Sequence, residues 1–198
     1  IVKIRRYNEY LVDEATDEYL EETLLRGLII GYGTLREKED VVISLEMLDE
    51  YLPLIDNWMI CDTFCNTFKI ASFPEYREEV LNHIIFFLQF GSEYAERTAF
   101  ILYLNQLLKY DSDGNKLNRL KTVTLKDIES TERESSMLDK FLPFALKDLD
   151  GRFYSQMGAA WFLAEAFNVY PDKIWPILKS GKNMGVDKKT YSLTLRKI

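Results

Sequence analysis

The chain has 198 residues, of which 47% are hydrophobic and 14% aromatic, and its formal net charge is -7 at pH 7. This composition suits one domain with a substantial core and excludes a disordered chain. No apolar run reaches the roughly 18 to 20 residues of a membrane helix, so we expect a soluble, cytoplasmic protein that has no membrane partner. Because the chain begins at Ile1 and not at Met, we expect some terminal sequence to be missing.

The negative charge is concentrated in the first third of the chain. Residues 1–56 contain 6 Lys and Arg against 14 Asp and Glu, whereas from Asp172 onward there are 7 basic and 2 acidic residues. A negative total opposes nucleic-acid binding, because phosphate contacts need Lys or Arg. The basic C-terminal end weakens that objection, although a solvated surface is the commoner meaning of such a run.

Apolar residues recur at helical spacing along most of the chain. Pro74 suits the first turn of a helix, and Ser92 can cap the one that follows Gly91. The segment 111–130 differs, because a turn cluster and mixed charges predict a long, partly irregular connection or an insertion. The predicted helices lie near residues 16–32, 40–52, 57–68, 74–90, 92–108, 132–147, 152–169, 171–179 and 187–197.

Successive helices with short connections predict the fold class. They favour an all-α, right-handed α-solenoid of HEAT-like antiparallel helix pairs. The whole chain, residues 1–198, then forms a single helical-repeat domain. No strict sequence repeat is visible, and a compact helical bundle is the alternative.

A single carboxylate, Asp62, lies inside a predicted helix that is otherwise almost wholly apolar. Its neighbours three and four positions away carry no positive charge, so a local ion pair does not explain it. Trp58 precedes it by four residues, which places an indole and a carboxylate on one side of the helix. Both groups attract a cation, the indole by about 0.5 to 2 kcal/mol. The alternative is that Asp62 binds backbone N–H groups and Trp58 fills the core.

Three ordered segments carry a family resemblance: Asn57 to Asp62, Glu96 to Ala99, and Phe153 to Trp161. The first resembles the Trp-x-x-x-Asp motif of the AlkD-like DNA alkylation repair glycosylases. The second resembles the family's Arg-Thr-Ala helix start, and the third resembles the helix that carries its second tryptophan. Residues 188–198 are similar to the family's closing helix, so the resemblance spans most of the chain.

The resemblance implies hydrolysis of the N-glycosidic bond of cationic N3- or N7-alkylated purines in duplex DNA, by a monomer without cofactor or metal. Asp62 would stabilise the oxocarbenium-like sugar and orient water, while Trp58 and Trp161 would pack on the sugar. An adjacent phosphate would be held by a charged hydrogen-bond donor. The DNA-binding residues that the resemblance implies are Arg97, Lys188 and Lys189.

Other interpretations of these residues stay open at this point. Glu93 and Arg97 are spaced as an exposed helix pair, and Trp161 follows three small residues and can simply fill the core. The alternative functions are a non-catalytic DNA-binding solenoid and a HEAT-like protein-binding module, the second supported by the acidic first third.

The remaining reactive side chains are predicted to be structural. Cys61 and Cys65 lie four apart in a predicted helix, a spacing that does not suit a disulfide, and no partner completes a metal site. We expect both to be core cysteines. His83 lies among apolar residues and is predicted to be a packed histidine.

Overall fold

The protein is described by a computed structural model that covers residues 19–32, 39–70, 73–180 and 185–198. Within these ranges the chain forms ten α-helices, and an isolated bridge between Tyr110 and Lys116 is the only extended pairing. The all-α prediction is therefore confirmed. None of the described helices combines the length and apolar character needed to cross a membrane. The helices are α1 Leu20–Tyr32, α2 Glu39–Tyr51, α3 Trp58–Thr67, α4 Arg77–Phe87, α5 Glu93–Leu102, α6 Leu125–Ser130, α7 Ser136–Ala145, α8 Phe153–Val169, α9 Pro171–Ser180 and α10 Lys188–Leu195.

Helix boundaries follow the sequence signals with some differences. Pro74 opens a 3-10 turn that leads into α4, and Gly91 follows α4 with a φ of 68°, a left-handed conformation that glycine adopts without strain. Ser92 occupies the N-cap position of α5, but its side chain makes no capping hydrogen bond. The predicted cap is therefore correct in position only. Residues 16–18, which the first predicted helix included, lie outside the described residues.

The helix α5 continues into a π-helical turn, Tyr103–Leu107, that periodicity did not predict. The same turn contributes to the aromatic core, because the Tyr103 ring stacks on Phe141 with centroids 4.2 Å apart. Phe162 of α8 meets Phe141 edge-on at 5.3 Å. All three rings are buried, and aromatic pairs of this geometry stabilise a core beyond the area that they bury.

The segment 111–130 is more regular than predicted. It contains the short helix α6, which begins at a capping box formed by Thr124 and Asp127. Upstream of α6, Arg119 donates two hydrogen bonds to Glu165 of α8, at 2.6 and 2.9 Å. The segment is therefore tied to the outer surface of α8 by its own side chains.

The helices pack in a consistent order. Along one row, α1 packs on α3, α3 on α5, α5 on α8, and α8 on α10. The helices α4, α7 and α9 flank this row. α4 contacts both α5 and α7, and α9 contacts α8. α5 and α8 lie in direct contact, where a Cβ added at Gly158 would lie 3.4 Å from the Cα of Arg97. A small residue at this position lets α8 lie against α5.

The side chains predicted to be structural are indeed packed. Cys61 and Cys65 are buried free thiols, and burial raises the pKa of Cys65. The His83 ring lies edge-on to Phe87, and its Nε2 is 2.8 Å from a carboxylate oxygen of Asp49. The two thiols are therefore part of the core, and His83 packs against Phe87 as predicted.

Candidate active-site cleft

Trp58 and Asp62 lie on the face of α3 that is turned away from the core. The helix begins at Trp58 because Asn57 Oδ1 accepts hydrogen bonds from the backbone N–H groups of Met59 and Ile60, both at 3.0 Å. The apolar side chains of α3 are buried against α1 and α5. Trp58 is therefore left more than half exposed, one turn before the carboxylate.

Asp62 forms a two-point ion pair with Arg97 of α5. The Nε of Arg97 donates to Oδ1 at 3.0 Å, and Nη2 donates to Oδ2 at 2.8 Å. The remaining terminal nitrogen, Nη1, donates to the backbone oxygen of Tyr154 at 3.3 Å. The partner of Asp62 is thus a cation 35 positions along the chain, which local helix spacing cannot reveal.

The two members of this pair differ in exposure. The Arg97 side chain is 4% exposed, whereas that of Asp62 is 20% exposed. Burial alone would lower the pKa of Arg97, but the hydrogen bonds and negative charge of Asp62 raise it above its ordinary value. The guanidinium therefore stays charged. Each carboxylate oxygen accepts one hydrogen bond from it and retains a second lone pair for other contacts.

The start of α8 is fixed to the start of α5 by Glu93. Its Oε1 accepts a hydrogen bond from the Tyr154 N–H at 2.6 Å, and its backbone oxygen accepts one from the Ser155 hydroxyl at 2.9 Å. The Tyr94 ring stacks on Tyr154 at 5.2 Å, and burial together with the neighbouring Tyr154 and Glu93 raises the pKa of Tyr94 to about 12. Glu93 thus fixes the start of α8. Because Glu93 binds α8 and Arg97 binds Asp62, the interpretation of Glu93 and Arg97 as an exposed pair is wrong.

These elements enclose one cleft of about 530 Å³. The three residues predicted to be catalytic and Arg97 all contribute to its lining. Trp161 packs partly against the core as well, so its structural and cleft-lining interpretations both hold. The lining residues are Trp58, Asp62, Arg97, Phe153, Tyr154, Met157, Trp161 and Lys197.

Sequence reasoning missed half of this lining. Tyr154 and Met157 lie seven and four positions before Trp161, so the helical spacing that grouped Trp58 with Asp62 also groups these three. Lys197 carried no such signal, because it reaches the cleft from the far end of the chain. Its Nζ lies 5.2 Å from the centroid of the Trp161 ring.

The two lysines predicted to bind DNA line a separate cleft of about 720 Å³. Lys189 lies at its border, with Nζ 5.7 Å from the centroid of the Phe153 ring, which belongs to the first cleft. Asp148 and Asp150, from the loop before α8, share this second cleft with the lysines, which the basic run of the sequence did not indicate. Its lining residues are Asp148, Asp150, Gly185, Asp187, Lys188, Lys189 and Ser192.

Comparison with known proteins gives no relative for this chain. It matches no protein-family model, no curated protein and no solved structure. Membership of the AlkD-like family therefore stays a prediction that depends on the three ordered segments. In the part of the chain that the structure describes, no three His, Cys, Asp or Glu side chains are grouped to hold a metal ion.

Proposed function

We propose that the protein is a DNA glycosylase that hydrolyses the N-glycosidic bond of cationic N3- or N7-alkylated purines in duplex DNA. The observation that carries the proposal is the Asp62 carboxylate, which reaches an open cleft lined by Trp58 and Trp161. A carboxylate and two indole rings all attract positive charge. Positive charge develops on the deoxyribose as the bond to the base breaks, so the cleft suits that transition state better than the ground state.

The proposal includes the architecture that presents this cleft. We propose a right-handed solenoid of HEAT-like helix pairs that acts as a monomer. The row of α1, α3, α5, α8 and α10, each packed on the next and flanked by α4, α7 and α9, supports stacked helix pairs. The site then lies where three members of one row, α3, α5 and α8, come together.

The chemistry needs little from the protein beyond charge and position. An alkylated purine leaves as a neutral base when the electron pair of the glycosidic bond moves to its ring nitrogen. Water then bonds to the anomeric carbon and loses a proton to the solvent. Asp62 stabilises the cationic sugar between these events and orients the water, while the faces of Trp58 and Trp161 pack against the sugar.

Arg97 has a positioning role in this proposal. Its guanidinium is buried, and its donors bind both oxygens of Asp62 and the backbone oxygen of Tyr154. Two hydrogen bonds restrict rotation of the carboxylate, so its charge is already oriented when the reaction begins. We therefore assign Arg97 to Asp62 in place of the predicted phosphate contact.

The test is release of bases from methylated duplex DNA. We expect the protein to release 3-methyladenine or 7-methylguanine, identified by mass spectrometry, and Asp62→Asn prepared in parallel to release far less. Equal release by both preparations would indicate a contaminating glycosylase or a dispensable Asp62. No release by the unaltered protein, at a concentration where it binds the duplex, would contradict the proposal.

A protein-binding module is the second candidate. The net charge of -7 and the carboxylates beside Lys188 favour it, because both oppose contact with a phosphate backbone. It predicts no duplex binding even at low salt. A third outcome, binding that falls steeply with salt but without base release, would identify a non-catalytic DNA-binding protein.

A further inference from the structure

The cleft contains a cation that the proposed chemistry does not use. Arg97 is committed to Asp62, but Lys197 at the cleft margin is exposed. Among the described residues, no carboxylate forms an ion pair with Lys197 or Lys189, although Lys189 shares the second cleft with Asp148, Asp150 and Asp187. Each ammonium group lies instead over an aromatic ring, Lys197 over Trp161 and Lys189 over Phe153.

The two contacts repeat along one seam between helices. Phe153 and Trp161 are eight residues apart on α8, and Lys189 and Lys197 are eight residues apart along and just beyond α10. At a rise of about 1.5 Å per residue, the backbone positions of the two rings are offset by about 12 Å along α8. One DNA strand presents a phosphate about every 3.4 Å of duplex axis, so this offset spans three to four phosphates.

A ring beneath an ammonium group restrains the side chain without using its hydrogen-bond donors. The attraction is worth about 0.5 to 1 kcal/mol at an exposed site, which limits the conformations that Lys197 samples. All three N–H groups remain able to bind an anion. A phosphate oxygen meets that requirement, whereas a cationic sugar or base does not.

We infer that Lys197, together with Lys189, binds the phosphodiester backbone of the duplex at the margin of the cleft and so places the sugar beside Asp62. The inference rests on the proposed function for the identity of the polymer. Lys197 is a binding residue in this scheme and takes no part in bond breaking. The phosphate contact predicted at Arg97 moves to a side chain that is free to make it.

The experiment measures the salt dependence of binding to unmethylated duplex DNA by fluorescence anisotropy. We expect Lys197→Gln to reduce the slope of log affinity against log salt by about one, and Lys189→Gln to do the same, because each removes one phosphate contact. The variant with both substitutions should have a slope reduced by about two. Lys197→Arg should keep the slope, and Lys126→Gln on α6, outside both clefts, should leave it unchanged.

The outcomes separate this inference from the glycosylase proposal. A slope that falls in Lys197→Gln supports the phosphate contact even when the unaltered protein releases no base. An unchanged slope overturns the contact even when base release is robust. Where base is released, Lys197→Gln should raise KM and leave kcat near its original value, and a fall in kcat alone would overturn the binding role.

Discussion

Two adjacent residues of α5, Glu96 and Arg97, each form the centre of an ion cluster, and the two clusters are built in opposite ways. Arg97 is buried, and its partner Asp62 is the more exposed member. Glu96 is only 1% exposed, and its partners Lys147 and Arg152, at 3.2 and 2.9 Å, are 34% and 32% exposed. One cluster therefore presents a carboxylate to the solvent, and the other presents cations.

The difference shows how burial sets the sign of charge that a surface offers. In each cluster the buried member is enclosed by the fold, and only the outer member can contact a ligand. The Asp62 cluster can therefore stabilise a cation, whereas the Glu96 cluster cannot. Loss of an outer member should also lower the stability more than loss of the buried member. The first leaves a buried charge unpaired, whereas the second leaves a charge that water can reach.

The largest effect on stability is expected where the buried carboxylate loses its outer cations. The double variant Lys147→Met and Arg152→Met leaves Glu96 without a charged partner in the interior, and we expect it to lose about 3 to 5 kcal/mol of unfolding free energy. Urea denaturation measures this. The matched control is Lys140→Met, whose partner Glu78 is exposed, and it should change stability by less than about 1 kcal/mol. Equal losses in both would contradict the comparison.

The Asp62 cluster provides the opposite test. Asp62→Ala leaves the buried Arg97 cation unpaired and should cost about 3 kcal/mol. Arg97→Met leaves a carboxylate that is partly hydrated already, so we expect a smaller loss of about 1 to 2 kcal/mol. Thermal and urea unfolding of the two variants measure which one loses more unfolding free energy. A greater loss for Arg97→Met would show that the carboxylate, and not the guanidinium, is the buried member.

Gly158 tests the packing that holds Arg97 in place. An alanine Cβ would meet the Arg97 Cα at an ordinary van der Waals distance of 3.4 Å, so Gly158→Ala should stay within about 1 kcal/mol of the original protein. Gly158→Leu adds atoms for which α8 must move, and we expect it to lose about 1 to 3 kcal/mol. Under the proposed function, Gly158→Leu should also slow base release, because movement of α8 displaces Trp161. Equal stability of the two variants would contradict close packing here.

Glu134 provides a useful contrast, because no cation of the described residues forms an ion pair with it. Burial alone would raise its pKa, but hydrogen bonds from Ser136 and Ser112 lower it to about 2. A carboxylate whose pKa is lower in the folded state contributes stability above its unfolded pKa, and this contribution is lost as pH falls from about 4.5 to 2. We expect Glu134→Gln to be less stable at neutral pH and to show a flatter decline over that interval. Thermal unfolding followed by circular dichroism between pH 7 and 2 measures the stability of both proteins. If the stability of Glu134→Gln and that of the original protein fell in parallel with pH, the lowered pKa of Glu134 would be contradicted.

The sequence predicts the helices and one wall of the cleft because both depend on local spacing. The four-residue interval from Trp58 to Asp62 places both on one face of α3, and the structure has them on one cleft. Pro74 and Gly91 mark boundaries through backbone chemistry that needs no tertiary context. These features could be predicted for that reason.

The partners of these residues could not be predicted in the same way. The pairing of Asp62 with Arg97 joins residues 35 positions apart, and only the packing of α3 on α5 brings them together. Lys197 reaches Trp161 through the packing of α10 on α8. Likewise, Asp148 and Asp150 come close to Lys188 from the loop before α8, a position that the basic run gave no reason to expect.

In the proposed function, the Asp62 carboxylate, held by a buried guanidinium, stabilises a cationic sugar. The most direct test of this claim is the single-turnover rate of base release from methylated duplex by the original protein and by Asp62→Asn, with Glu165→Gln as the control from another two-point ion pair. We predict a loss of about 100-fold or more for Asp62→Asn at unchanged duplex affinity, and no change for Glu165→Gln. Rates for Asp62→Asn within about threefold of the original, in a folded variant, would contradict the claim.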